Sequence, residues 1–290
     1  MQIHLLDGTY ELFRSYFGAP KRTGPDGQEV GATAGIIAST LSLLQEPAVT
    51  HVAAAFDTVI PSYRNDLYPG YKTGEGIEED LLAQFPLAER ALSALGVVVW
   101  PMVEFEADDA IATAAARFAP EVEQVVILSP DKDMAQCVVG QQVVTFDRRQ
   151  GAFRDAAGVR EKFGVDPESI PDYLALVGDA ADGFPGVPGW GAKSTAAVLG
   201  HYGHLENVPL DPARWEVSVR SANRLASALV ANMGDALLFR FLALLRTDVP
   251  LAESVDDLEW PGAHREPYEE LCDDLGLDNL RQRPHRWAAL

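Results

Sequence analysis

Nine acidic residues stand where a folded chain could gather them: Asp7, Asp57, Glu106, Asp108, Asp109, Asp131, Asp133, Asp179 and Asp182. Carboxylates brought together without partners repel one another, and they must then protonate or take up a cation. Mg2+ or Mn2+ resolves that repulsion, because hard divalent ions prefer oxygen ligands and retain several waters. A single Asp after a strand is an ordinary cap or turn residue. The succession of such acids in one chain is what points to metal chemistry.

The elements that must position these acids can be read from the apolar pattern. Residues 3–6, 52–56, 97–100, 125–128 and 143–146 read as short buried strands, and residues 32–45, 86–95 and 107–119 as helices. Helices of this length between short apolar strands imply parallel crossovers and a covered sheet. Asp7, Asp57 and Asp131 then follow strands, at the carboxyl ends where an open parallel sheet collects its functional groups. Glu106-Ala107-Asp108-Asp109 opens a helix, whose start favours negative charge. From Pro171 onward the chain reads as mostly helical. It is interrupted by the turn Gly183-Phe184-Pro185-Gly186-Val187-Pro188-Gly189-Trp190-Gly191, with one or two helices over 221–245.

Composition bounds the reading. The 290 residues allow one large domain or two closely packed ones, and 47% hydrophobic content supports a sizeable core. Two cysteines, Cys137 and Cys272, are too few for a disulfide framework or a Cys-based zinc site. The first residues lack a signal-peptide pattern and no apolar run is long enough to span a bilayer, so a cytoplasmic protein is expected. The net charge of −20 is unlike the basic footprint of a nucleic-acid binder. Its distribution matters, however. Residues 1–182 carry 28 acids and 13 bases, and 248–290 carry 11 and 4, whereas 183–247 carry 4 acids and 6 bases. The middle segment is the only non-acidic one, which softens the objection to a nucleic-acid partner.

The ordered motifs Asp7-Gly8, Phe56-Asp57, Tyr71-Lys72, Glu106-Ala107-Asp108-Asp109, Asp131-Lys132-Asp133 and Gly178-Asp179-Ala180-Ala181-Asp182 resemble the 5′-nuclease family. That family includes flap endonucleases and the N-terminal exonuclease domain of bacterial DNA polymerase I. The resemblance runs from residue 3 to about 260 and marks the chain as a stand-alone version. It implies a PIN-like α/β fold with a parallel central sheet flanked by helices, followed by a helical subdomain with a helix-hairpin-helix (helix-three-turn-helix) motif. The implied divisions are a nuclease core over 1–165 with a gateway at about 60–90, a helical DNA-binding region over 166–250, and an acidic C-terminal extension over 251–290.

The resemblance also implies roles. Asp7, Asp57, Glu106 and Asp108 match ligands of a first metal site, and Asp109, Asp131, Asp133, Asp179 and Asp182 the rest of an acidic cluster serving two or three Mg2+ or Mn2+ ions. Those ions would make hydroxide from water and clamp the scissile phosphate, leaving a 5′-phosphate and a 3′-hydroxyl. Lys72 and Arg64 match catalytic cations near that phosphate, and Tyr71 an aromatic that stacks on an unpaired base. Three positions depart from the family pattern: Glu75 where relatives carry Arg, Pro130 where Gly is usual before Asp-Lys-Asp, and Gly183 in place of a common Asn. The stretch Glu75-Gly76-Ile77-Glu78-Glu79-Asp80 is also short and acidic where relatives often have a basic arch.

The Gly/Pro turn is not a P-loop, because Ala192 separates Gly191 from Lys193 and breaks the Gly-Lys-Ser spacing. It reads as a hairpin between helices. Gly186, Gly189 and Gly191 would let backbone N–H groups approach a phosphate, with Lys193 and Ser194 at the following helix start. Arg220 and Arg224 would extend this sequence-independent grip on duplex DNA. The resemblance adds K+ at the hairpin. The resulting expectation is a monomeric, structure-selective nuclease acting on DNA ends, flaps or nicks in replication and repair, with no membrane partner. Two alternatives remain. One is a catalytically weak DNA-junction binder, suggested by Glu75 and the acidic gateway. The other is an Asp-nucleophile phosphatase, disfavoured because Asp7-Gly8-Thr9 lacks a second Asp two residues on.

Overall fold

The computed structural model describes residues 1–289. The chain forms two compact units. The first comprises residues 1–62, 74–129 and 247–290; the second comprises 63–73 and 130–246.

The first unit is built on four parallel strands, β1 (Gln2–Asp7), β2 (His51–Asp57), β3 (Val98–Met102) and β4 (Gln124–Leu128). Their spatial order is β3-β2-β1-β4, with Leu5 opposite both Ala53 and Ile127. β1, β2 and β4 are buried almost throughout, as runs of Leu, Val, Ile and Ala without alternation require of strands covered on both faces. Helices α1 (Gly8–Gly18), α2 (Gly31–Leu44), α3 (Phe85–Ala94) and α4 (Ala107–Phe118) cover the sheet. α4 carries six alanines, and these small side chains let it lie close on β1, β2 and β3. The chain runs from β1 outward through β2 to β3, then returns to the other side of β1 as β4. The order therefore reverses at β1, and the switch point falls at the strand end that carries Asp7.

The acidic C-terminal stretch is a packed part of this unit. Trp260 Nε1 donates to Leu95 O at 2.7 Å, Trp100 Nε1 to Glu253 Oε2 at 2.9 Å, and Arg117 Nη1 to Leu251 O at 2.7 Å. The helix Arg265–Leu275 buries Tyr268, Leu271, Cys272 and Leu275 and sends its acids outward.

The second unit contains the antiparallel hairpin β5 (Val143–Asp147) and β6 (Ala152–Arg154) and the helices α5 (Ala156–Phe163), α6 (Ile170–Val177), α7 (Ala192–Tyr202), α8 (Ala222–Ala231) and α9 (Met233–Ala243). Residues 221–245 thus form two helices, bent by 79° at Asn232. Their shared core includes Leu174, Phe184, Trp190, Val198, Leu229 and Phe239, with Phe184 and Phe239 stacked at 5.5 Å. Among the described residues no single helix is long and apolar enough to cross a membrane.

Candidate active site

Five of the nine acids lie in the first unit. Asp7 and Asp57 end adjacent parallel strands, and both are buried. Asp7 caps α1, accepting from Tyr10 N at 2.8 Å through Oδ1, and its Oδ2 accepts from Ser129 Oγ at 2.8 Å. Asp57 Oδ1 accepts from Ala107 N at 2.7 Å, which ties the end of β2 to the first turn of α4. That turn carries the other three acids. Asp109 Oδ2 accepts from Glu106 N at 3.1 Å, and Glu106 Oε1 accepts from Ser62 Oγ at 2.8 Å. Two N–H groups at the start of α4, those of Glu106 and Ala107, thus meet carboxylates, as the positive end of a helix favours. Ser62 and Ser129 were not foreseen, because a lone Ser in a loop gives no signal in sequence. Neither was Arg14, about two turns beyond Asp7 on α1, which donates to Ser39 Oγ at 2.9 Å and pairs with the buried Glu11.

Four acids and Lys72 lie in the second unit. Asp133, Asp179 and Asp182 are buried and Asp131 is exposed. Lys132, flanked by two of the acids but given no role from sequence, places Nζ 2.9 Å from Asp179 Oδ2. Lys72 Nζ lies 3.8 Å from Asp182 Oδ1, and Lys72 N donates to Asp182 O at 3.2 Å. Lys72 is one of two non-glycine residues with positive φ (24°) among the described residues, a conformation that stores strain. Gly183 permits this arrangement: its φ is 85°, and a Cβ there would run into Gly70 O. Asp133 Oδ1 is buried without a hydrogen-bond partner. Burial first, then the negative fields of Asp131, Asp182 and Asp179, hold the Asp133 carboxyl well above the usual carboxylate range, with Lys72 opposing.

Among the described residues, no three His, Cys, Asp or Glu side chains already converge closely enough to hold a metal ion. Backbone N–H groups, hydroxyls and two ammonium groups occupy the carboxylate oxygens instead.

Arg64, Tyr71 and Gly186 take places other than those expected. Arg64 is fully buried: Nε donates to Leu242 O at 2.9 Å and Nη2 to Leu244 O at 3.0 Å, at the end of α9, and the guanidinium lies over the Tyr63 ring. It stabilises the last carbonyls of a helix rather than facing an open site. Tyr71 is 3% exposed in the core of the second unit, so its ring has no free face for a base. Gly186 is buried at φ 72°, where a Cβ would lie 2.6 Å from Leu176 O. It allows two backbone segments to touch and does not present its N–H to a ligand.

The rest of the hairpin is open. Gly189, Gly191 and Lys193 are exposed, and Ser194 Oγ bridges the N–H and C=O of Gly191 at the start of α7. Gly189, Lys193, Ser194, Arg220 and Arg224 line one cleft of 630 Å3. Three cations around an exposed helix start make a site suited to phosphate.

Comparison with known proteins bears on the family and the fold. Residues 2–164 match the N-terminal resolvase-like domain of 5′-3′ exonucleases, and residues 165–266 match their C-terminal SAM fold. DNA polymerase I of Pseudomonas aeruginosa is 36% identical over 285 residues; these are 95% of this chain but 30% of the polymerase. The chain therefore spans under a third of that relative. The bacteriophage T5 flap endonuclease, solved with DNA and metal ions, shares the fold with a TM-score of 0.67 at 16% identity, covering 84% of this chain and 89% of the phage protein. The catalytic core of Rad2 in complex with a DNA substrate matches with a TM-score of 0.59 at 16% identity, covering 96% and 90%.

Proposed function

Because the chain belongs to the 5′-3′ exonuclease family, we propose that it hydrolyses phosphodiester bonds at 5′ ends, flaps or nicks of DNA and leaves a 5′-phosphate and a 3′-hydroxyl. One observation carries the reading. The strand-end acids Asp7 and Asp57 lie at the switch point of a parallel sheet, joined by hydrogen bonds to the acidic first turn of α4. The donor set fits a hard divalent cation: it is all oxygen, and Asp133 Oδ1 is buried with no partner. Asp7, Asp57, Glu106 and Asp108 would hold one Mg2+ or Mn2+. Asp131, Asp133, Asp179 and Asp182 would hold another, with Asp109 fixing the turn. Such ions, when bound, supply a water of lowered pKa and neutralise phosphate charge.

The chain's own residues do the rest. Lys72, fixed by Asp182 and by its strained backbone, places an ammonium where negative charge develops on the phosphate oxygens. Lys193, Arg220 and Arg224 grip a duplex backbone without reading its sequence. Buried Asp7 and Asp57 stay oriented because each is anchored by a backbone N–H.

The test is a cleavage panel of single strand, nicked duplex, 5′ flap and 3′ flap with Mg2+ or Mn2+. Nicked and 5′-flap substrates should be cut and the 3′ flap spared. Asp57→Asn and Asp182→Asn should each slow cleavage roughly a hundredfold or more with duplex affinity retained. Cleavage that survives a chelator, or that both variants perform at the full rate, defeats the proposal. A second reading, a junction binder with little catalysis, draws on the acidic stretch after Lys72, where Glu78 accepts from Tyr16 OH at 2.7 Å. Flap binding without product over long incubation would favour it.

A further inference from the structure

We propose that Lys132 is a displaceable counter-ion built into the acidic set of the second unit, so that a divalent cation enters there by exchange for an ammonium group. The proposal rests on the metal-dependent reading above. Four carboxylates, Asp131, Asp133, Asp179 and Asp182, share that unit with the two paired ammonium groups of Lys132 and Lys72. One of the carboxylate oxygens, Asp133 Oδ1, is buried and receives no donor.

The Lys132–Asp179 contact is asymmetric. Its Nζ–Oδ2 distance is 2.9 Å, but the lysine side chain is 36% exposed and the aspartate 3%. Asp179 is held in place, since its Oδ1 accepts from Ala181 N at 3.0 Å and its backbone pairs with Phe184 in both directions. The ammonium can swing into water on its flexible stem, whereas the carboxylate cannot follow. A lysine is suited to this role in a way that an arginine is not. It binds a carboxylate as a point charge and forms no bidentate fork.

A concentrated divalent charge competes directly for the same oxygen. The backbone of Lys132 stays attached to the set during the exchange, because its N–H donates to Asp131 Oδ1 at 2.6 Å. Lys72 and Lys132 each pair with one carboxylate of the set, Asp182 and Asp179, while Asp133 Oδ1 receives no donor.

The protein, stripped of divalent ions, is titrated with Mn2+ by calorimetry without DNA. In parallel, the acetylation rate of each of its five lysines is followed by mass spectrometry. Lys132 should react severalfold faster at saturating Mn2+, while Lys21 and Lys193 keep their rates. Lys132→Met should bind Mn2+ more tightly, on the order of tenfold. Mn2+ binding that leaves Lys132 reactivity unchanged, or a Lys132→Met variant whose affinity is unchanged or weaker, overturns the exchange and leaves the nuclease reading standing. Absence of any Mn2+ binding overturns both. The acetylation readout uses the unmodified chain, so it decides the matter even if Lys132→Met does not fold.

Discussion

His4 stands within β1, buried, with Nδ1 lacking a hydrogen-bond partner. Burial lowers its pKa from 6.5 to about 4. The folded chain therefore binds this proton less readily than the unfolded chain. The stability that comes from keeping the ring neutral is present above pH 6.5 and is lost as pH falls toward 4. His4→Leu should remove that dependence, sparing up to about 3 kcal/mol of the loss on acidification. Urea denaturation at a series of pH values checks this, and parallel profiles for the two proteins would place the acid lability elsewhere. At the same scale, Arg64 and Tyr71 show where residue type alone misleads. Within the motif Tyr71-Lys72 the aromatic ring is buried in a core, whereas the lysine reaches Asp182. Arg64 lies some 180 residues from the carbonyls it binds, and nothing local to it announces them. Aromatic and guanidinium groups serve cores as readily as ligands.

Among the elements, the hairpin before α7 separates two kinds of glycine. Gly186 needs its positive φ and its bare Cα, because the backbone of residues 176–178 lies against it. Gly191 has a φ that any residue adopts, and a Cβ there would meet nothing within 4 Å. Gly186→Ala should cost about 2 kcal/mol or more, and Gly191→Ala should leave stability within about 0.5 kcal/mol of the parent. Chemical denaturation of both variants decides it, and equal losses would contradict the assignment. From sequence, both glycines looked like phosphate contacts, since composition does not tell a packed turn from an open one. The strands were legible because fully buried parallel strands are continuous apolar runs. β1, β2 and β4 were found within a residue or two, and with them the positions of Asp7 and Asp57. The part after residue 247 was not legible. It is held by Trp260, Arg117 and the apolar stripe of a helix whose acids dominate its composition. β6, three residues long, left no pattern to detect.

At the scale of the whole molecule, a net charge of −20 coexists with three cations clustered in one cleft, Lys193, Arg220 and Arg224, through which the proposed function has the chain meet a polyanion. Repulsion reaches about 30 Å in 0.01 M salt and about 10 Å at 0.1 M, whereas contacts inside the cleft act at short range. Duplex affinity should therefore fall with salt along a log-log slope no steeper than about −3, and Lys193→Ala should make it shallower by about one. A slope near −6, measured by fluorescence anisotropy at several salt concentrations, would mean that cations outside this cleft touch DNA. The order in which the chain is synthesised bears on a different property. Residues 63–73 belong to the second unit yet lie between two stretches of the first. On a ribosome this hook emerges roughly sixty residues before the earliest of its partners can exist. Lys72 cannot meet its partner Asp182 until about 110 further residues have been made, so a loop translated early in synthesis waits for a purpose that is translated late.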